Sequence, residues 1–251
     1  MKIYLKYIFL FLLTNTLFAT NIEVQKGIQL FNEKKFHQSY NILMPYAKKG
    51  DMEAEFFIGL IYDMGSIDLM DKEKAVKWYL KAAKKGYPRA EYDMGVMLSK
   101  GEGIKKDLRE ALKWYLKSAN HQDKNAMFNL GVAYQRGYGV DKNITKAKEW
   151  YKKAIELNMP KAAYNLATIY AKANEKQKAF EYYKIAALNG HTEAMFTLGY
   201  IYQQEGNAKN AIKWYEKAIV NGHKGARVNL MHFLKNQANK NKSIFWENIL
   251  K

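Results

Sequence analysis

Hydrophobic and polar positions recur along most of the chain at two fixed intervals. Trp78, Trp114 and Trp150 lie 36 residues apart, and beyond Trp150 the step shortens to 32, reaching Tyr182 and then Trp214. Within each repeat the large apolar residues are three and four positions apart, which places them on one face of an α-helix. Repetition of this length is typical of a solenoid, whose units pack only on their neighbours. The pattern therefore predicts an all-α protein built from stacked helix pairs.

The same pattern divides the chain into segments. Residues 1–19 form a signal-like segment, residues 20–53 a divergent helix pair, and residues 226–251 a pair of C-terminal capping helices. In the C-terminal segment we expect a helix over Ala226–Leu234, a linker rich in Lys and Asn, and a short amphipathic helix over Ser243–Lys251. The five repeats between these flanks span residues 54–89, 90–125, 126–161, 162–193 and 194–225.

Each repeat contains two predicted helices whose small residues indicate close packing. The first helix carries Gly or Ala at its fifth motif position, as at Gly59 and Gly95, at a cost of up to ~1 kcal/mol in helix propensity. We expect the second helix to approach closely there. The second helix follows a capping Asp or Asn, carries Ala-x-x-Trp-Tyr and ends at Gly, as at Gly86, or at Asn158. Gln122 interrupts this series, so we expect a different helix end at that position.

Two proline and glycine features modify the repeats. Pro45 stands inside the second helix of the divergent pair, where the missing backbone donor should kink or shorten the helix. The first three repeats have an extended connection between their helices, such as Gly137-Tyr138-Gly139, and the last two repeats lack four residues there. The Gly-x-Gly sequences follow helices and not strands, so they do not predict a phosphate-binding loop or a cofactor.

The repeat sequence resembles a known family. The motifs A-x-x-x-L-G-x-x-Y, G-x-G-V and K-A-x-x-W-Y-x-K-A all stand within residues 126–161, and related sequences cover Ala54–Gly225. They are similar to the Sel-one-like repeat family, a relative of the tetratricopeptide repeats. The resemblance implies a right-handed superhelix of antiparallel helix pairs, with the first helices lining a concave surface. It also implies a scaffold or adaptor that binds a protein or peptide.

The first residues have the layout of a secretory signal. Lys2 and Lys6 precede an apolar run that ends at Leu13, and a small residue follows at Ala19. The run is shorter than the about 20 residues that a membrane span needs. We expect cleavage after Ala19, a periplasmic or secreted protein, and no stable insertion in a membrane after cleavage. The alternative is an uncleaved anchor, because Leu17 is large for its place before the cleavage site.

The chain is strongly basic and contains no cysteine, so no disulfide can stabilise it. The net charge is +17, and removal of Lys2 and Lys6 with the signal leaves +15. Lysines covering the solvent faces of helices account for this surplus, since no run of five basic residues occurs. We therefore predict no nucleic-acid partner. Binding of an anionic envelope polymer remains an alternative.

Catalysis is the other alternative, because some secreted members of the resembled family carry a penicillin-binding or β-lactamase label. Serine acylation by β-lactams needs Ser-x-x-Lys, and no serine here has Lys three positions later. Thr145 and Lys148 have the spacing without the accompanying motifs. His191 and His223 occupy equivalent repeat positions, predicted as surface loops, but no cysteine or carboxylate cluster joins them. We predict no catalytic residue, cofactor or metal site.

The candidate binding residues lie on the predicted first helices. Asn129, Asn165 and Asn229 share one repeat position, with Asp93 and Thr197 at the same place in other units. In related tetratricopeptide domains this position faces the groove, where an amide can bond both a donor and an acceptor of a peptide backbone. A structural role within the repeat explains the same residues equally well. We predict as the partner-binding set Phe57, Met127, Asn129, Lys161, Asn165 and Asn229.

Overall fold

The computed structural model describes residues 22–66 and 68–249, with the backbone alone described for 239–249. In this part of the chain the regular secondary structure is entirely helical, which confirms the all-α fold class. The predicted signal segment lies outside the described residues. Clustering of the contacts separates two compact units, unit 1 up to Asn143 and unit 2 from Ile144 onward.

The described residues form thirteen helices, and within each unit consecutive helices pack against each other. Helix α1 spans residues 22–32, and α2 to α12 each contain 13 residues. The bounds of the other helices are α2 Phe36–Lys48, α3 Met52–Met64, α4 Lys72–Lys84, α5 Pro88–Lys100, α6 Leu108–Asn120, α7 Lys124–Arg136, α8 Ile144–Glu156, α9 Pro160–Lys172, α10 Lys176–Leu188, α11 Thr192–Gln204, α12 Ala208–Val220 and α13 Ala226–Ile249.

A tyrosine of the second helix packs on the glycine of the first helix at Gly59, Gly95 and Gly199. A Cβ atom added to Gly95 would lie 2.5 Å from the ring of Tyr115, and one added to Gly59 would lie 2.6 Å from Tyr79. The helices therefore approach closely where these glycines stand, as expected, and it is the tyrosine ring that fills the space. Tyr79 is fully buried, and Tyr115 is 6% exposed.

The second helices end through residues in the left-handed region, which leaves their last carbonyls hydrogen-bonded. Gly86 has φ +84° and Asn158 φ +57°. Gln122 was expected to end its helix differently, but this prediction is wrong. Its φ is +62°, and its N–H donates to the Ala119 carbonyl, as the Gly86 N–H donates to Ala83. Backbone bonding at the helix end thus imposes the same geometry on a residue that prefers other conformations.

Asp71, Asp107 and Asn207 cap the second helices that they precede, as predicted. The Asp71 carboxylate accepts a hydrogen bond from the Lys74 N–H at 2.9 Å, and Asp107 accepts from the Glu110 N–H at 3.0 Å. Asn207 caps α12 in the same way. Each side chain satisfies a backbone donor that the helix itself leaves free.

The long connections of unit 1 cover the N-terminus of the preceding second helix. A Cβ atom on Gly103 would lie 2.2 Å from the Lys72 carbonyl oxygen, and one on Gly139 would lie 2.4 Å from that of Leu108. Both glycines also have positive φ. Glycine is therefore required at these positions, because the loop backbone lies directly against the first turn of a helix.

One expectation about helix lengths is corrected. Pro45, which was predicted to kink or shorten its helix, does not shorten α2, since α2 has the same 13 residues as its equivalents. The C-terminal segment is one helix, Ala226–Ile249, and not two helices joined by a linker. Neither Gly nor Pro, the residues that most disfavour a helix, occurs within α13. Its Lys and Asn residues do not interrupt the backbone hydrogen bonds, so the helix is continuous.

The tryptophans are less buried than the tyrosines that follow them, and lysines cover their rings. Trp114 and Trp214 are 7% exposed, whereas Trp78 and Trp150 are half-buried. In each case the ammonium group one turn later lies over the ring, a favourable cation–π contact. The distances to the ring centroids are 3.8 Å for Lys81 and Trp78, 4.1 Å for Lys117 and Trp114, 4.4 Å for Lys153 and Trp150, and 4.5 Å for Lys217 and Trp214.

Candidate functional site

The predicted asparagines lie beside the buried tyrosines of the preceding second helices. In unit 2 the Asn165 Nδ2 donates to the Tyr151 hydroxyl at 3.2 Å. The equivalent hydroxyls of Tyr115 and Tyr215 donate elsewhere, to Ser99 and Gln203. The three asparagines are half-buried. The Asn165 amide thus has an internal partner, and it retains further donor and acceptor capacity because an amide can form more than one hydrogen bond.

Asn129 lies beside two buried or half-buried tyrosines, Tyr92 and Tyr115, and burial raises the pKa of Tyr92 to about 12. The same residue lines a cavity of about 130 Å³ in unit 1, together with Ser99 and Tyr138. Asn129 therefore contacts a small surface cavity as well as the interior of its repeat.

Asp93 takes the asparagine position in the preceding repeat and changes its electrostatics. Burial and the neighbouring carboxylate of Asp63 raise the pKa of Asp93 to about 7, and Arg89 opposes this shift. The Tyr79 hydroxyl donates to Asp63 at 3.1 Å, and Lys72 forms an ion pair with the same carboxylate. Asp93 is therefore only partly ionised near neutral pH, unlike an ordinary surface aspartate.

Two members of the predicted binding set lie in the core of unit 1. Phe57 is 5% exposed and packs edge-on against Phe31 and Phe56, with ring centroids 5.3 and 5.4 Å away. Met127 is 7% exposed. Their placement in the predicted binding set is corrected, because side chains buried to this extent offer almost no surface to a partner.

Lys161 is exposed at the edge of a shallow depression in unit 2, and it lies one helical turn before Asn165. The depression has a volume of about 630 Å³ and is also lined by Glu193, Lys224 and both His191 and His223. His223 bonds the Glu193 carboxylate at 3.0 Å. The side chains of Lys161 and Lys224 lie in the depression, and the Glu193 carboxylate there is already paired with His223. The depression therefore suits an acidic group of a ligand.

Both histidines lie in loops, as their repeat position predicts. Their rings, however, are packed against aromatic side chains and are half-buried, so they are not simple surface residues. His191 stacks on Tyr164 with 4.5 Å between centroids, and His223 stacks on Phe196 at 4.2 Å. His191 Nδ1 accepts from the Ala194 N–H, which requires a neutral ring, and burial lowers the pKa of His191. Within the described residues no group of His, Asp and Glu could hold a metal ion.

The one Ser/Thr-x-x-Lys spacing in the chain has no catalytic geometry. Lys148 lies over the Tyr170 ring, 4.3 Å from its centroid, and 3.9 Å from a Glu175 carboxylate oxygen. The Lys148 ammonium group is therefore engaged by Tyr170 and Glu175.

The structure also contains features that the sequence reasoning missed. Glu55 and Glu91, which are 36 residues apart, are each 3% exposed, and Glu55 pairs with Lys85 at 2.7 Å. Their spacing equals the repeat interval of 36 residues and indicates that the two glutamates occupy the same position in consecutive repeats. A cavity of about 540 Å³ in unit 2, lined by Phe180 and Tyr183, was also missed. The shortened connections of the last repeats were the signal for it.

These features define a helical-repeat scaffold, a type of protein that typically mediates protein–protein interaction. Models of the Sel1 repeat match residues 53–87, 88–123, 124–159 and 160–191, and a tetratricopeptide repeat model matches residues 192–219. The chain belongs to the Sel1 repeat family. Proteins of this family are generally non-enzymatic scaffolds.

Solved structures support this assignment. A Sel1 repeat protein from Oxalobacter formigenes is 30% identical with a TM-score of 0.74, over 81% of this chain and 86% of that one. The protective antigen c5321 of uropathogenic Escherichia coli, which displays an SLR fold, is 26% identical with a TM-score of 0.61. That match covers 85% of this chain but only 56% of the antigen. No curated protein sequence matches the chain.

None of the helices in the described residues is both long and apolar enough to cross a membrane.

Proposed function

We propose that this protein is an exported scaffold that binds a protein or peptide partner through the concave face formed by its first helices. The observation that carries the proposal is the half-buried amide of Asn165, which the Tyr151 hydroxyl holds at 3.2 Å, with Asn129 and Asn229 half-buried at the same repeat position. A fixed amide loses little conformational entropy when it binds an extended backbone. The Sel1 repeat family and its typical role in protein interaction support this proposal.

Lys161 and Asn165 are the residues of unit 2 that fit such a partner best. They lie one turn apart on α9, so their side chains share a face of the helix. Asn165 would bond the partner backbone, and Lys161 with Lys224 would attract a carboxylate at the depression. We therefore propose an extended segment with an acidic side chain or a free C-terminus near Lys161.

Export rests on the first residues of the sequence. Lys2 and Lys6, the short apolar run and Ala19 form the layout of a cleaved signal. We propose that the partner is encountered in the periplasm or outside the cell. A cell-envelope extract is therefore the material in which to search for it.

A crosslinking pull-down from the native cell envelope tests the binding face. Asn165→Ala should reduce recovery of the partner at least about fivefold, since it removes amide bonds to the partner backbone. Because Asn165→Ala also removes the internal bond to Tyr151, Tyr151→Phe is the matched control, which breaks that bond and leaves the amide. Lys161→Glu should reduce recovery too, whereas Lys172→Glu at the other end of α9 should not. Equal recovery with Asn165→Ala and the wild type would contradict the proposed face.

Two further measurements separate the alternatives. Affinity that falls steeply with ionic strength, and is unchanged in Asn165→Ala, would indicate an anionic polymer bound by the basic surface. Stoichiometric acylation of the purified protein by a reporter β-lactam would indicate a penicillin-binding or hydrolytic function. We expect neither result.

A further inference from the structure

Unit 2 contains a cavity that is much larger than the equivalent cavity in unit 1. The unit 2 cavity, of about 540 Å³, lies between α9, α10 and α11 and is lined by residues that include Ala171, Phe180, Tyr183, Thr197, Ile201 and Glu205. The unit 1 cavity has a volume of only about 130 Å³. Ligand pockets in proteins have volumes of roughly 300–1,000 Å³, so only the unit 2 cavity lies in this range.

The repeat interval shows that the two cavities occupy the same structural position. Seven residues that line the unit 1 cavity have counterparts in the unit 2 cavity, one of them 72 positions later and six of them 68 positions later, where a shortened connection intervenes. The corresponding pairs are Ser99 and Ala171, Leu108 and Lys176, Ala111 and Ala179, Leu112 and Phe180, Tyr115 and Tyr183, Asn129 and Thr197, and Ala133 and Ile201.

The difference in volume comes from the connection that borders each cavity. In unit 1 the connection between α7 and α8 carries Tyr138, which lines the cavity, and its Gly139 lies against Leu108. The corresponding connection in unit 2, residues 205–207, is four residues shorter and has no counterpart of Tyr138. The cavity of unit 2 is therefore left without the aromatic side chain that borders its equivalent.

The floor of the unit 2 cavity also differs in its polar groups. The hydroxyl of Tyr115 bonds the Ser99 hydroxyl, and that of Tyr215 bonds Gln203. Beside Tyr183 the residue equivalent to Ser99 and Gln203 is Ala171, which has no polar side-chain atom to accept a hydrogen bond. Burial raises the pKa of Tyr183 to about 12, so its hydroxyl stays protonated as a hydrogen-bond donor.

We propose that this cavity binds an aromatic side chain of the partner, in the way that Tyr138 is placed in unit 1. The proposal rests on the proposed function, because the aromatic residue would belong to the protein or peptide bound there. Apolar walls from Phe180 and Ile201 suit an aromatic ring, and the Tyr183 hydroxyl suits a polar atom at its edge. The fold itself supplies the precedent for the occupant, since an aromatic residue on a glycine-rich turn lines the equivalent cavity.

Methyl NMR of the whole protein with N-acetyl-tyrosinamide as the probe tests this proposal. We expect saturable shifts of the Ala179 and Ile201 methyl signals, with a dissociation constant on the order of 1 mM. N-acetyl-leucinamide should bind about tenfold more weakly. Ala171→Phe, at an exposed position of α9 bordering the cavity, should abolish the shifts without unfolding the helix.

The unit 1 cavity provides the matched control. Ala111 and Ala133 should not respond in the wild type, because Tyr138 already borders their cavity, and they should respond in Tyr138→Ala. No shift at Ile201 with millimolar probe, or equal binding of the leucine probe, would overturn the proposal. This measurement needs no natural partner, so the proposed binding face can fail in the pull-down while the cavity still binds the probe, and the reverse also holds.

Discussion

At the scale of single residues, one repeat position has two roles that the sequence could not separate. Asn165 bonds the buried Tyr151, and this internal bond accounts for an amide at that position without any partner. Asn129, Asn165 and Asn229 are all half-buried, so part of each amide still faces outward. An amide that an internal hydrogen bond already holds in place loses little conformational entropy when it binds a partner.

Asp93, the acidic member of this position, gives the first prediction. Its folded-state pKa is raised from 3.8 to about 7, so the unfolded chain ionises first as the pH rises. Stability from Asp93 is therefore complete below about pH 4 and is lost as the pH rises to about 7. Asp93→Asn should remove this loss and raise the free energy of unfolding at pH 8 by about 2–4 kcal/mol, with little effect at pH 4.

Urea unfolding followed by circular dichroism between pH 4 and pH 8 measures this difference. Asn129→Asp is the matched control, because it places a carboxylate among Tyr92 and Tyr115 and should produce a similar loss of stability at high pH. A stabilisation by Asp93→Asn that is the same at pH 4 and pH 8 would show that ionisation is not its cause.

At the scale of helices, a tyrosine ring on the second helix requires glycine at position 59, 95 or 199 of the first helix, because it leaves no room for a Cβ atom. Gly95→Ala should destabilise the protein by about 1–3 kcal/mol, because the new methyl group would overlap Tyr115, although alanine favours helices. Thermal unfolding measures this change. Gly95→Ala combined with Tyr115→Leu should recover part of the loss, since the smaller side chain leaves room. Full stability of Gly95→Ala alone would mean that the ring moves aside without cost.

The end of α6 gives a prediction of the opposite sign. Gln122 has φ +62°, a conformation that costs residues with a Cβ atom about 1–2 kcal/mol. Gln122→Gly should raise the free energy of unfolding by about 0.5–1 kcal/mol, because part of the gain is offset by the greater freedom of glycine in the unfolded chain. Gly86→Gln at the equivalent end of α4 should lower it by a similar amount. Urea unfolding of the two variants, compared with the wild type, checks both signs.

At the scale of the whole molecule, two compact units share one repeat but differ in their connections. In unit 1 long connections carry glycines that pack on the preceding second helix, and in unit 2 short connections leave a cavity. Repeats whose helices have the same length can thus differ in their binding properties because of a few loop residues. The basic charge is spread over the helices, where lysines cover tryptophan rings and pair with carboxylates.

Export is the prediction that belongs to the whole chain. When the full sequence is expressed in a Gram-negative host, the mature protein should begin at Thr20, and intact-mass and N-terminal peptide analysis of the periplasmic fraction would detect it. Ala19→Leu, which removes the small residue at the cleavage site, should cause the full-length chain to accumulate. Recovery of the unprocessed wild-type chain in the cytoplasm would contradict export.

The sequence alone determined the helical repeat, its steps of 36 and 32 residues and several helix caps of this protein, because these depend on local spacing and on short-range backbone bonding. Asp71, Gly86 and Asn158 take the positions that their own chemistry favours. Gln122 and the helix over Ala226–Ile249 did not follow from residue types, since hydrogen bonds along the backbone overrode those preferences. The burial of Phe57 and Met127, the tyrosine partner of Asn165 and the cavity beside Phe180 were decided only by the tertiary structure. They depend on how neighbouring helices pack, and the spacing of residues within one repeat does not contain that information.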